Sequence, residues 1–263
     1  MNNSDKPVAL SVFRVGGEAI GQLIPAVQAA LLHRVGNFGL TLHSENSSPP
    51  TLALGHQLST PRELQQCCQA LAADLHNAGY IAGWRNELFT LKKPDGTAWF
   101  DLERASFRTF GFESEAIHVH GYTQSGEVWL GRRSTLKAID PGLLDNLAAG
   151  GLSSGETPMN CARRELWEEA GVDEMLGKNL ISLPKTLVSE RIETQGVHRE
   201  VLHCFALQLP DDFIPENKDG EVCGFLRCSL TEVRELLRKK ALTTDAAVCT
   251  EYALQCAAVL DKK

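Results

Sequence analysis

Residues Gly150 to Val172 read GGLSSGETPMNCARRELWEEAGV, and the rest of the chain is organised around this stretch. Thr157 is a good N-cap, and Pro158 stands at the first helical position, where a missing N–H does no harm. Gly171 suits the left-handed residue that closes a helix. Between these signals lie about three turns. At ~100° per residue, Met159, Ala162, Leu166 and Ala170 share one narrow apolar stripe that should face a core. Glu165 and Glu169 sit at i and i+4 beside that stripe, and Glu168 lies one step further round. Three carboxylates therefore crowd within an arc of roughly 100°. A solvated acidic helix face is the ordinary explanation for such a run. Like charges this close otherwise need neutralising, and hard divalent cations with oxygen ligands, Mg²⁺ or Mn²⁺, do that. The upstream loop Ala149-Gly150-Gly151, which lets backbone come close to a metal or a phosphate, favours the ion.

Gly150, Glu156, Arg164, Glu165, Leu166, Glu168, Glu169, Gly171 and Val172 follow a fixed spacing. It runs G, five residues, E, seven residues, then R-E-U-x-E-E-x-G-U with U aliphatic. On these positions the segment resembles the Nudix box with no departure. The resemblance implies an α/β fold, a Nudix α/β/α sandwich, here preceded by a smaller α/β N-terminal domain. It also implies a metal-dependent pyrophosphohydrolase. Clustered carboxylates that hold divalent ions suit attack of water on a phosphoric anhydride. Glu165, Glu168 and Glu169 are then the expected metal ligands, with the backbone carbonyl of Gly150 or Ala149 as a further one. Arg164 is expected to hold a box carboxylate in place. Glu156 reads as structural, although the family sometimes draws it into the metal site. The general base varies in this family between a box glutamate and one from a later loop. Here the later-loop candidate is Glu221, in the polar Asn217–Glu221 turn.

At 263 residues the chain has room for about two domains. Residues 1–112 read as an α/β domain whose role is packing or lidding, and residues 113–263 as the Nudix domain. In the first, Pro7–Val15 alternates weakly and Ile20–Leu32 has helical apolar spacing. Asn46–Pro50 is a polar loop, a helix starts at Pro61, and Trp84–Leu91 reads as a strand. In the second, Ile117–Tyr122 and Glu127–Gly131 read as strands, as do Ile181–Ser189 and Val201–Leu209. Arg191, Glu193, His198 and Arg199 would lie in a turn able to close over a site. Ser229 and Thr244 should start two final helices.

The apolar fraction of 43% and charged fraction of 22% are ordinary for a globular protein. With no run of about 18 apolar residues and no signal-like start, the expectation is a cytoplasmic protein. A net charge of −7 without a basic block argues against nucleic-acid or membrane binding. An anionic substrate then needs a local basic pocket. Arg132 and Arg133, with Lys137 close behind, are the candidates to hold phosphates, against the alternative of a solvated basic turn. His118 and His120 share a strand face but lack an evident third metal ligand. The eight cysteines contain no C-x-x-C pair and read as buried free thiols.

A second resemblance narrows the substrate. Asp101-Leu102-Glu103-Arg104-Ala105, Gly111-Phe112, His118–Tyr122, Trp129–Ser134 and Pro141–Gly151 are similar to a two-domain Nudix subgroup. That subgroup is related to a domain fused to thiamine pyrophosphokinase in some fungi. It implies hydrolysis of thiamine diphosphate and its oxo or oxy analogues to the monophosphates, with Trp129 or Tyr122 available to stack on a ring. ADP-ribose or NADH would use the same box. An isopentenyl-diphosphate isomerase shares the fold but needs a cysteine and a glutamate not seen here. A non-catalytic binding module would be expected to have lost box carboxylates. The expected partner is a small-molecule diphosphate, and a homodimer is compatible with the sequence.

Overall fold

The computed structural model describes residues 9–43, 51–55, 60–137 and 139–260. The chain divides into two compact units. One holds the residues up to Ser114 together with 153–155 and 190–200, and the other holds 115–152, 156–189 and 201 onward. The cut after residue 112 read from the sequence is contiguous. The observed grouping is not, because the short segment 153–155 and the 190–200 hairpin tip group with the first unit.

The first unit contains β1 (Ser11–Val15), β2 (Glu18–Leu23), α1 (Pro25–Leu32), β3 (Leu40–His43), β4 (Thr51–Leu54), α2 (Pro61–Asn77), β5 (Leu88–Lys92), β6 (Ala98–Glu103) and α3 (Arg104–Phe110). Its sheet has the order β2-β1-β4-β3, with β1 and β4 parallel, and β5 and β6 form a separate hairpin. The start of α2 is capped as its sequence demands. The Thr60 hydroxyl accepts from the Glu63 N–H, and the Glu63 carboxylate accepts from the Thr60 N–H. Leu64, Cys68, Leu71 and Leu75 face a core shared with Phe13, Phe107, Phe110 and Phe112. The helix read over Ile20–Leu32 is corrected, since its first residues continue β2 and only Pro25 onward is helical. Pro25 sits at the first helical position and biases the residue before it to extended backbone. Trp84–Leu91 shortens to β5 for its strand part. The loop read at Asn46–Pro50 lies outside the described residues.

The rest of the chain forms β7 (Glu113–Thr123), β8 (Val128–Arg133), β9 (Leu144–Asp145), β10 (Ala148–Gly151), α4 (Pro158–Ala170), α5 (Glu174–Gly177), β11 (Ile181–Glu193), β12 (Gly196–Leu209), β13 (Val222–Cys228), α6 (Leu230–Arg238) and α7 (Thr244–Leu260). Its sheet runs β11-β12-β7-β8-β13, with β10 on β7 and β9 on β8. Alternation along β7 and β8 splits the side chains between two cores. Ile117, Val119 and Trp129 pack with Ala162, Leu166 and Ala170 of α4. Val128 and Leu130 pack with Val233 of α6 and Ala246 of α7. The sheet is thus covered by a helix layer on each face, an α/β/α sandwich. Arg191, Glu193, His198 and Arg199, expected in a turn, lie instead in the extended ends of β11 and β12. Among the described residues, no helix is long and apolar enough to cross a membrane.

Candidate active site

Helix α4 starts and stops where its sequence says it should. The Thr157 hydroxyl accepts from the Asn160 N–H at 3.3 Å, Pro158 is the first helical residue, and Gly171 closes the helix at φ +65°. The Gly171 N–H returns to the Trp167 carbonyl and the Val172 N–H to that of Leu166. Cys161, Ala162, Leu166 and Ala170 are buried, with Met159 partly buried against the same core. Glu165 and Glu169 flank this stripe and are themselves 8% and 6% exposed. Burying two acids one turn apart is costly, so their partners matter.

Arg164 is the hub. Its Nε and Nη2 donate to the two oxygens of Glu156 at 2.9 and 3.0 Å, a paired fork. Its Nη1 donates to Glu165 at 2.7 Å and to Glu168 at 3.0 Å, which brings those two carboxylates side by side. The Glu156 hydrogen bonds hold the guanidinium firmly charged, with help from Glu165. Arg164 was expected to fix one carboxylate and fixes three. Arg164→Ala should therefore lower the stability of the metal-free protein by roughly 1–3 kcal/mol, discounted from the buried-pair range because the guanidinium is about one-third exposed. A urea titration measures this, and Mg²⁺ should recover part of the loss. An unchanged midpoint would mean that the carboxylates do not need the guanidinium.

Glu169 lies outside that fork. Its described hydrogen bond is from the Ala149 N–H, at 2.9 Å. Burial pushes its carboxyl up to about 8, Glu165 and Asp145 push the same way, and the Ala149 N–H and Lys137 pull against them. Burial also raises Glu165, in spite of Arg164. Gly150, paired to Ile117 across β10 and β7, completes the wall. A Cβ there would come 2.0 Å from Glu165 Oε1, so only glycine leaves room for that carboxylate.

The basic residues are placed differently from the expectation. Arg132 and Arg133 are neighbours on β8 and so project to opposite faces of the sheet. Arg132 donates to the Gly142 carbonyl at 2.9 Å on the face of Leu130, away from α4. The structure therefore does not bring the two guanidinia together on one face. Arg133, on the α4 face, donates to Asp145 at 2.9 Å and to the Ile139 carbonyl at 3.0 Å. Burial raises the Asp145 carboxyl, but His118 and Arg133 outweigh it and hold it below its ordinary value. Lys137 forms an ion pair with Glu221, whose carbonyl accepts from the Ser134 N–H at 2.9 Å. The loop before Glu221 is tied to the end of α4, from Glu216 N to the Ala170 carbonyl at 3.0 Å and from Lys218 N to that of Glu168 at 2.8 Å. Asp219 in this loop adds to the negative field at Glu165.

Trp129 is 9% exposed inside the α4 core, and Tyr122 stacks on His120 at 6.1 Å between ring centroids. His118 pairs with Asn146 Oδ1 at 3.0 Å, and burial pushes His120 down to about 4. Neither is arranged as a metal pair. Asp145, Asp219 and the Ala149 N–H were not singled out from sequence. Only Asp145 gave a local signal there, as a lone acid between two apolar runs.

A model of the NUDIX domain matches residues 112–250. Nudix hydrolase 24, chloroplastic, of Arabidopsis thaliana is 36% identical over 199 residues, 74% of this chain and 54% of its own length. Nudix hydrolase 20, chloroplastic, of the same plant is 31% identical over 243 residues, 85% of this chain and 65% of its own length. The chain thus spans about half to two-thirds of the length of these curated relatives. A crystal structure of a Deinococcus radiodurans protein superposes with a TM-score of 0.49 at 21% identity, covering 63% of this chain and 98% of that one.

Proposed function

The chain belongs to the NUDIX domain family, matched over residues 112–250, and from that premise we propose that it hydrolyses a phosphoric anhydride in a small-molecule diphosphate, using Mg²⁺ or Mn²⁺. The observation that carries this reading is the convergence of four box carboxylates on a single guanidinium and one backbone N–H. One arginine cannot offset Glu156, Glu165, Glu168 and Glu169 together, and Glu165 adds to the burial that already raises the Glu169 carboxyl. An all-oxygen donor set with surplus negative charge fits a hard divalent cation. Glu165, Glu168, Glu169 and the Gly150 carbonyl would hold it. When bound, it supplies the positive charge that offsets the phosphoryl oxygens in the transition state.

The chain's own groups do the rest. Arg164 positions Glu165 and Glu168. Arg133 and Lys137 supply the cationic side of the pocket, each already paired with a carboxylate that phosphate oxygens would replace. The attacking water has carboxylates in the box and Glu221 on the adjoining loop to accept its proton. Its oxygen forms the new P–O bond as the bridging P–O bond breaks.

The substrate class we favour is thiamine diphosphate and its oxo and oxy analogues, yielding monophosphate and phosphate. Its support is the subgroup resemblance carried by Asp101–Ala105, His118–Tyr122, Trp129–Ser134 and Pro141–Gly151. The experiment is turnover of the purified protein with Mg²⁺ on thiamine diphosphate, oxothiamine diphosphate, ADP-ribose, NADH and coenzyme A. The expected result is preference for the thiamine-type diphosphates. Preference for ADP-ribose or NADH would keep the reaction and discard this substrate, and silence across the panel would overturn the hydrolase reading.

A further inference from the structure

The face of the sheet away from α4 carries a buried pair of thiols. Cys204 on β12 and Cys249 on α7 are 3% and 2% exposed, and their Sγ atoms stand 3.1 Å apart across 45 residues of sequence. The other cysteines have no such arrangement in the described structure. A disulfide needs about 2.05 Å, so closure requires the sulfurs to approach by about 1 Å. That is a side-chain adjustment between a strand and a helix packed on it. The surroundings are polar for a core. Thr250, the neighbour of Cys249, accepts from Asn146 Nδ2 at 2.8 Å, and Asn146 Oδ1 pairs with His118.

We propose that Cys204 and Cys249 are a reversible oxidation site that ties α7 covalently to β12. The oxidant class is a peroxide, and hydrogen peroxide, with two heavy atoms, demands the smallest opening of α7. The Cys204 sulfur attacks one peroxide oxygen, the O–O bond breaks, and the departing hydroxide takes the thiol proton as water. The Cys249 sulfur then attacks the sulfenic sulfur of Cys204, and the S–O bond breaks with loss of a second water. Two thiols are oxidised and one peroxide is reduced. Cys204 is the first nucleophile, because its contact with the Cys249 thiol and the nearby His118 favour its thiolate. The site does not depend on the hydrolase reading, since it rests on the thiol geometry alone.

The test uses the full chain, reduced, freed of reductant and treated with graded hydrogen peroxide. Denaturing alkylation and intact mass count the remaining thiols, and peptide mapping identifies any link. The expected result is loss of two alkylatable thiols, a peptide pair joining Cys204 to Cys249, recovery with dithiothreitol, and a raised thermal midpoint. Cys204→Ser and Cys249→Ser should each abolish the link, and Cys223→Ser should not. Absence of the link at peroxide levels that fully oxidise the exposed Cys223 would overturn the proposal, as would a link to another cysteine. The wild-type map decides the matter even if a serine variant folds poorly.

Discussion

Gly150→Ala should cost about a hundredfold or more in kcat while the protein stays folded, because displacing a site group by an ångström carries a penalty of that order. The backbone of Gly150 lies outside the left-handed region, so alanine meets no conformational strain there. The obstacle is steric. The new methyl would stand 2.0 Å from Glu165 Oε1, 2.2 Å from its Cδ and 2.8 Å from its Cγ. All three atoms belong to one flexible side chain, which can swing aside, whereas β10 is held by its pairing with β7. The carboxylate therefore moves and the strand does not. Stability should fall by no more than about 1–2 kcal/mol, within the ordinary range for a point substitution. A second substitution isolates the cause. In a Gly150→Ala/Glu165→Ala double variant the clash is gone, so stability should return while activity does not. Wild-type turnover in the single variant would remove Glu165 from the site. Equal instability in single and double variants would refute the steric account.

The parts of the site that could be read in the sequence are those encoded locally. Thr157, Pro158 and Gly171 fix both ends of α4, and the helical period then decides which way Glu165 and Glu169 face. What could not be read depends on register between distant strands. The Ala149 N–H reaches Glu169 because β10 lies on β7, and Arg133 reaches Asp145 because β9 lies on β8. Asp145 stands out as a lone acid in its own segment, but neither segment says which distant group it will meet. The separation of Arg132 from Arg133 has a different origin. The turn-like charged residues after Gly131 suggest that the strand ends there, whereas β8 continues through Arg133, and one more step of alternation separates the two guanidinia. The same shortfall shortened β11 and β12, whose charged ends look like turn residues but pair as strand. In the first unit, Ile20–Leu32 has apolar residues at helical spacing, yet Pro25 marks where extended backbone gives way to helix.

Glu169→Gln should abolish most turnover, by at least about a hundredfold, and should also change how the metal-free protein responds to pH. In the folded chain burial holds the Glu169 carboxyl at about 8, against an ordinary value of 4.5. Between those values the folded protein keeps a proton that the unfolded chain has released. Stability of the metal-free protein therefore falls as pH rises through this window and levels off above it. Glu165, also raised by burial, adds to the slope in the same direction. Asp145, held below its ordinary value, acts with the opposite sign at lower pH and does not mask it. A divalent cation requires the carboxylate, so binding below pH 8 must expel the proton. Its affinity should climb with pH and then flatten. Glutamine keeps the shape and the Ala149 N–H bond but has no proton to exchange. The variant should thus be more stable than wild type near pH 8 without metal, bind Mg²⁺ weakly, and release fewer protons than wild type by calorimetry in buffers of differing ionisation enthalpy. If wild type and variant released protons equally, the buried acid that the cation discharges would have to be another group. A variant that lost activity but gained no stability would show that Glu169 is not strained by its burial.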